Sequence, residues 1–178
     1  MHITVLEASD AQRYRALMLE AYERAADAFT STAQERAAET ALFWAKRIAD
    51  PMGLSVAFGA FDGADLVGTV ALEFSAKPKT RHKALVIGMY VSPGARGTGA
   101  GRALLAAALR YAETKEGLIR LNLTVTEGNA PAIHLYQSAG FETFGVEPEA
   151  ILTPAGYRAK VHMSRRIGPQ AAGRQPVK

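Results

Sequence analysis

The sequence predicts an α/β protein, a single-domain mixed sheet with helices on both faces. Three observations predict it. Leu54–Phe61 and Leu66–Phe74 are apolar runs flanking Asp62-Gly63-Ala64-Asp65, a hairpin signature. Two strand-then-helix units follow, Ala84–Val91 leading to Gly101–Thr114 and Leu118–Thr126 leading to Pro131–Ala139. No repeat or internal linker divides the chain, and its 178 residues suit one core.

The elements follow in order. Ile3–Leu6 alternates like a short strand. Ser9-Asp10 then precedes an amphipathic helix through Phe29, with Tyr14, Leu17, Met18 and Ala21 at helical spacing. Thr32 and Glu35 form a capping box for a second helix running past Trp44 to about Ile48, which Asp50-Pro51 and Gly53 end. The hairpin, a polar loop with Pro78 and the Ala84–Val91 strand come next. Leu104, Leu105, Ala108, Leu109 and Ala112 give the following helix one apolar stripe. Asn129 and Pro131 open the last helix, which Gly140 closes, with Phe141 docking behind the glycine. Glu142–Val146 and Tyr157–Ser164 read as two final strands. Residues 1–167 make the domain, and 168–178 read as a flexible basic tail without periodicity.

Composition narrows the function. No apolar run approaches the ~18 residues that span a membrane. The N-terminus lacks the pattern of a signal peptide, so the expected location is cytoplasmic. The absence of cysteine excludes disulfides, zinc–thiolate sites and a cysteine nucleophile. His134 has no second histidine at metal spacing, and no metal is expected. The net charge of +4 is modest, and the basic loop Lys77–Lys83 has no interleaved aromatics, so no nucleic-acid partner is expected.

The informative stretch is Val91–Leu109, VSPGARGTGAGRALLAAAL. Glycine weakens strands and helices, so Gly97, Gly99 and Gly101 at a helix mouth need a reason. A helix N-terminus exposes unpaired N–H groups and partial positive charge, and glycines let an anion reach them. Arg96 to Arg102 therefore reads as a pyrophosphate cradle. A P-loop would end in Gly-Lys-Ser/Thr, but Gly101 precedes Arg102 and Ala103. A dinucleotide fingerprint starting at Gly97 would need a third glycine where Arg102 stands. A ligand-free glycine turn is the remaining structural alternative.

Arg96-Gly97-Thr98-Gly99-Ala100-Gly101, after Met89-Tyr90-Val91-Ser92-Pro93, resembles the Arg/Gln-x-x-Gly-x-Gly/Ala signature of the GNAT superfamily of N-acetyltransferases. EGNAPAIHLYQSAGF is similar to that family's Asn-x-x-Ala-x-x-x-Tyr-x-x-x-Gly-Phe segment, with Asn129, Ala132, Tyr136, Gly140 and Phe141 in register. The closing YRAKVHMSR resembles its last strand. The resemblance is strongest from Leu85 to Phe141. It implies the GNAT fold, in the order strand, two helices, three strands, helix, strand, helix, two strands.

It further implies an acyltransferase using acetyl-CoA, which binds where Leu85–Val91 and Leu118–Thr126 splay apart. By resemblance the backbone of Met89, Tyr90 and Val91 holds the pantetheine arm, and Arg96, Gly97, Thr98, Gly99, Ala100, Gly101 and Arg102 hold the pyrophosphate. Asn129 joins this set and caps its helix. Tyr136 is the implied catalytic acid that protonates the CoA thiolate. The family's glutamate early in the motif strand is missing, since Ala84–Gly88 offers none. Glu73, Glu127 and His82 are the substitute bases. The acceptor, a primary amine of a small molecule or peptide, is expected between Tyr22–Gln34 and Glu147–Tyr157. Dimers are common among similar proteins. The missing glutamate also motivates a second reading, a non-catalytic acyl-CoA sensor.

Overall fold

The computed structural model describes residues 1–168, so the expected tail, apart from Gly168, lies outside the described residues. Seven strands form one sheet in the order β1-β2-β3-β4-β5-β7-β6. They are β1 His2–Val5, β2 Ser55–Asp62, β3 Asp65–Phe74, β4 Lys83–Val91, β5 Arg120–Thr126, β6 Glu142–Thr153 and β7 Gly156–Arg166. Among the described residues only β4 and β5 pair in parallel. The helices are α1 Ala11–Arg24, α2 Ala33–Ala37, α3 Ala41–Ile48, α4 Ala100–Glu113 and α5 Ala130–Ser138.

Strand alternation sorts the core into two layers. Val70, Leu72, Ala84 and Val86 pack with Leu104, Leu105 and Ala108 of α4. Ala57, Ala71 and Tyr90 point the other way, to Tyr14, Met18, Trp44 and Ile48 of α1 and α3. The sheet thus carries helices on both faces, as the sequence predicts.

The element order is close to expectation and differs in three places. The first helix stops at Arg24, and a 3-10 turn, Ala26–Ala28, brings Phe29 back against Tyr22, with ring centroids 4.8 Å apart. The expected second helix is two helices. The Thr32–Glu35 capping box opens α2, but Thr40 caps α3 afresh, its hydroxyl accepting from the Phe43 amide at 3.2 Å. Threonine serves better as a cap than inside a helix. Third, the expected loop after Val146 is mostly strand, because β6 continues to Thr153 across an irregularity between Glu147 and Ile151. Pro148 lies there, and Glu149 has φ 52°. An edge strand tolerates both.

Candidate functional site

The parallel pairing of β4 with β5 covers only Lys83–Arg120, Ala84–Leu121 and Leu85–Asn122. Beyond Leu85 the two strands part. On its other side β4 carries one extra residue: Ile87 opposes Ala71 and Tyr90 opposes Thr69, leaving Gly88 and Met89 outside the register. Gly88 takes φ 62°, a left-handed conformation that suits glycine. The bulge therefore sits beside the splay, and peptide groups of both strands are left without ladder partners there.

A cavity of about 300 Å³ occupies the splay. Val86–Met89 of β4 and Thr124–Thr126 of β5 form its walls, with Asn129, Ala132 and Tyr136 of the α5 segment at one side. Tyr22, the 28–31 stretch, Arg36, Arg47 and Glu73 close the other side. Tyr136 is buried, with its ring edge-on to Phe141 at 5.8 Å. Burial pushes its phenol well above the ordinary value, so it keeps its proton and suits an acid, not a base. Asn129 caps α5 as expected, accepting from the Ala132 amide at 3.3 Å.

The glycine turn leads into α4. Gly97 and Gly99 have φ 78° and 88°, and a Cβ at either would meet open space. Gly101 is different. A Cβ there would lie 3.6 Å from Leu135 of α5, so this glycine also serves the approach of α4 to α5. Among the described residues, the backbone amides from Gly97 to Arg102 have no acceptor. Thr98 donates its hydroxyl to the Ala95 carbonyl at 2.7 Å and leaves them open. Unpaired amides converging at a helix N-terminus, with glycines giving access, fit a pyrophosphate.

Arg96 turns back. Its Nε donates to the Val91 carbonyl at 3.0 Å, and its guanidinium lies 5.8 Å from the Tyr90 ring centroid. Arg96 thereby fixes the end of β4 relative to the turn, while Arg102 is exposed on α4. The Tyr90 ring is committed to the helix layer, its hydroxyl donating to Glu20 Oε1 at 2.9 Å, so only its backbone is available to the cavity. Met89 lines the cavity directly.

Of the three substitute bases, Glu73 alone lines the cavity. It is two residues along β3 from Ala71, hence on the face that packs against α1 and α3. Glu127 borders a separate depression with Glu23, Asp27 and Arg158, and His82 sits at the loop entering β4, its carbonyl bonded to the Ile119 amide at 2.8 Å.

Three cavity residues, Arg36, Arg47 and Lys160, were not expected from sequence. Arg36 and Arg47 look like solvated helix charges in the chain, and Tyr14, whose hydroxyl comes within reach of Gly88 behind the cavity wall, reads as one more core position. Lys160 sits in a strand between alanine and valine, and its burial is unannounced. Its Nζ donates to Thr126 Oγ1 at 2.8 Å and to the Ala28 carbonyl at 3.2 Å, and Thr126 in turn donates to the Asp27 carbonyl. Burial lowers the Lys160 pKa, and Glu147 partly restores it. This chain of bonds ties the turn after α1 to β5 and β7. Lys160→Met leaves Ala28 and Thr126 without their donor, and a loss of about 1–3 kcal/mol is expected in a denaturant titration. An unchanged midpoint would show that the tie carries no stability.

No helix among the described residues is long and apolar enough to cross a membrane. Nor do these residues bring three His, Cys, Asp or Glu side chains together as a metal site.

Comparison with known proteins agrees with this architecture. The chain is 30% identical over 122 residues to an L-amino acid N-acetyltransferase of Escherichia coli, covering 68% of this chain and 74% of the relative. It is 41% identical over 92 residues to the streptothricin acetyltransferase of Streptomyces lavendulae, covering 52% of this chain and 46% of that protein. A Salmonella typhimurium structure solved with its cofactor acetyl-CoA superposes with a TM-score of 0.79 at 18% identity, over 98% of this chain and 99% of the other. At that identity the likeness concerns the fold. The model of the acetyltransferase (GNAT) family matches residues 17–141. The chain belongs to the acetyltransferase (GNAT) family.

Proposed function

We propose that this protein is an acetyl-CoA-dependent N-acetyltransferase that moves the acetyl group to a primary amine of a small molecule or peptide by direct attack on the thioester. One observation carries the reading. β4 and β5 stop pairing after Leu85–Asn122, and the resulting cavity has a buried, protonated phenol on one wall and a carboxylate on another.

Acetyl-CoA supplies an activated acyl group on a sulfur leaving group. The open amides of Gly97–Arg102 receive its pyrophosphate, and the edge of β4 that no longer pairs with β5, at Met89–Val91, receives the amide-bearing arm. An alkyl ammonium, with a pKa near ~10.4, must lose a proton before it attacks. Glu73 accepts it, directly or through water, a role supported by its being the one substitute base that lines the cavity. The C–N bond forms as the C–S bond breaks, and Tyr136 gives its phenolic proton to the departing sulfur. Two protons leave the ammonium nitrogen, one to Glu73 before attack and one as the C–N bond forms. The second restores the Tyr136 phenol that protonated sulfur, so the products are the N-acetyl compound, CoA thiol and one proton released from Glu73 to solvent.

A panel of amines with acetyl-CoA, followed by thiol release and by mass, tests this reading. At least one amine is expected to gain an acetyl group in a protein-dependent reaction. Tight binding of acetyl-CoA with no turnover across amino acids, peptides, polyamines and aminoglycosides would instead leave an acyl-CoA-binding domain.

A further inference from the structure

The acceptor half of the cavity holds more positive charge than a site for a simple cationic amine should. We propose that Arg36 and Arg47 form a carboxylate seat, and that the acceptor amine is that of a free α-amino acid or a close zwitterionic analogue. This rests on the acetyltransferase reading of the same cavity.

Arg36 on α2 and Arg47 on α3 both line the cavity and both lie against one ring, their guanidinium carbons 5.0 Å and 5.5 Å from the Phe43 centroid. Arg36 has a partial partner in Glu39 at 3.5 Å. Arg47 has no ion-pair partner among the described residues. The Nε atoms of both arginines are buried without a hydrogen-bond partner. Buried donors left unpaired are costly and uncommon. Both can only donate, so the group that satisfies them is an acceptor, and two guanidinium forks select a planar anion such as a carboxylate.

Position selects the class of acceptor. The Tyr14 hydroxyl is 3.6 Å from where a Cβ would stand on Gly88, in the β4 bulge. Arg47 borders that hydroxyl, its charge acting directly on the phenol. The anion seat therefore begins about one side chain from the point where the strands part. An amine whose carboxylate is on the adjacent carbon spans that gap. A polyamine or aminoglycoside brings only further positive charge towards two arginines. Glu73, of opposite sign, lines the same cavity near enough to Arg47 for their charges to interact, and it receives the ammonium end beside the carboxylate. The arginines belong to the helix layer on the sheet face opposite α4, away from the amides assigned to pyrophosphate.

The test compares matched acceptors with wild-type protein: α-amino acids, their carboxamides, the corresponding decarboxylated amines, and cationic polyamines. The expected result is acetylation of amino acids with kcat/KM at least about 100-fold above their carboxamides, since a site built around a hydrogen-bonded group rejects analogues lacking it. Arg47→Gln is expected to raise KM for the acid about 100-fold and to collapse the acid–amide difference, with Arg47→Lys intermediate because it keeps charge but not the fork. Acetyl-CoA affinity, measured in the same variants, should stay within about threefold. Carboxamides or polyamines acetylated as well as the acids would overturn the carboxylate seat while leaving the acetyltransferase reading intact. So would equal losses on acid and amide in Arg47→Gln. If no amine is acetylated and acetyl-CoA does not bind, both readings fall.

Discussion

Gly99→Glu is expected to weaken acetyl-CoA binding by at least about 100-fold while leaving the protein folded. Gly99 caps α4 at φ 88°, ψ 2°, where a side chain costs about 1–2 kcal/mol. That corresponds to a Tm lowered by about 2–8 °C for a domain of this size. The space beyond its Cβ position is open, so no clash adds to the strain. The new carboxylate sits at the positive end of α4, where it can accept from the free amides itself. It thus offsets part of its own strain and occupies the place assigned to pyrophosphate. Gly99→Ala carries the backbone strain without the charge, so its affinity should fall by less than about tenfold. Calorimetric titration of both variants separates the two effects. Equal affinities in Gly99→Glu and wild type would remove the cradle from the account.

Tyr136→Phe is expected to lower kcat by about 100-fold or more, the usual worth of a placed general acid, with acetyl-CoA affinity unchanged. The phenolic oxygen makes no hydrogen bond to the protein among the described residues, so its removal should leave stability nearly unchanged. This separates a chemical role from a packing role, because a merely structural tyrosine would lose stability and keep its rate. The sign of the pH effect is also fixed. Burial favours the neutral phenol and raises its folded-state pKa above the unfolded value of about 10. The resulting stability is present below about pH 10 and is lost as pH rises towards the folded value. Wild type should therefore lose stability in alkali more steeply than the Phe variant. Rates measured up to pH 9 should show no decline from Tyr136 ionisation.

Much of this site is legible in the chain because its signals are local. Three glycines before an amphipathic stripe fix a helix mouth, and Asn129 with Pro131 fixes another. The Thr32–Glu35 box is also a short-range pattern, and it forms as read. The same logic misplaces the break at Thr40, since its use as a cap depends on where Trp44 and Ile48 must dock. The long β6 is hidden because Pro148 and two glutamates read as a turn, whereas an edge strand with a bulge accommodates them. The arginines show the limit most clearly. Arg36 and Arg47 are eleven positions apart on separate helices, and nothing local says that both will flank Phe43 at the cavity wall. Lys160 is likewise unreadable, because its acceptors come from Thr126 and Ala28, far away along the chain.

The most direct measurement is amide hydrogen exchange on the wild-type protein with and without acetyl-CoA. Protection is expected to be gained at Gly97–Arg102, whose amides lack acceptors, and along Met89–Val91, where β4 no longer pairs with β5, with β1 and β2 unchanged. Binding that leaves both of those segments unprotected, or that protects only a surface elsewhere, would contradict the assignment of the splay and the glycine turn to acetyl-CoA.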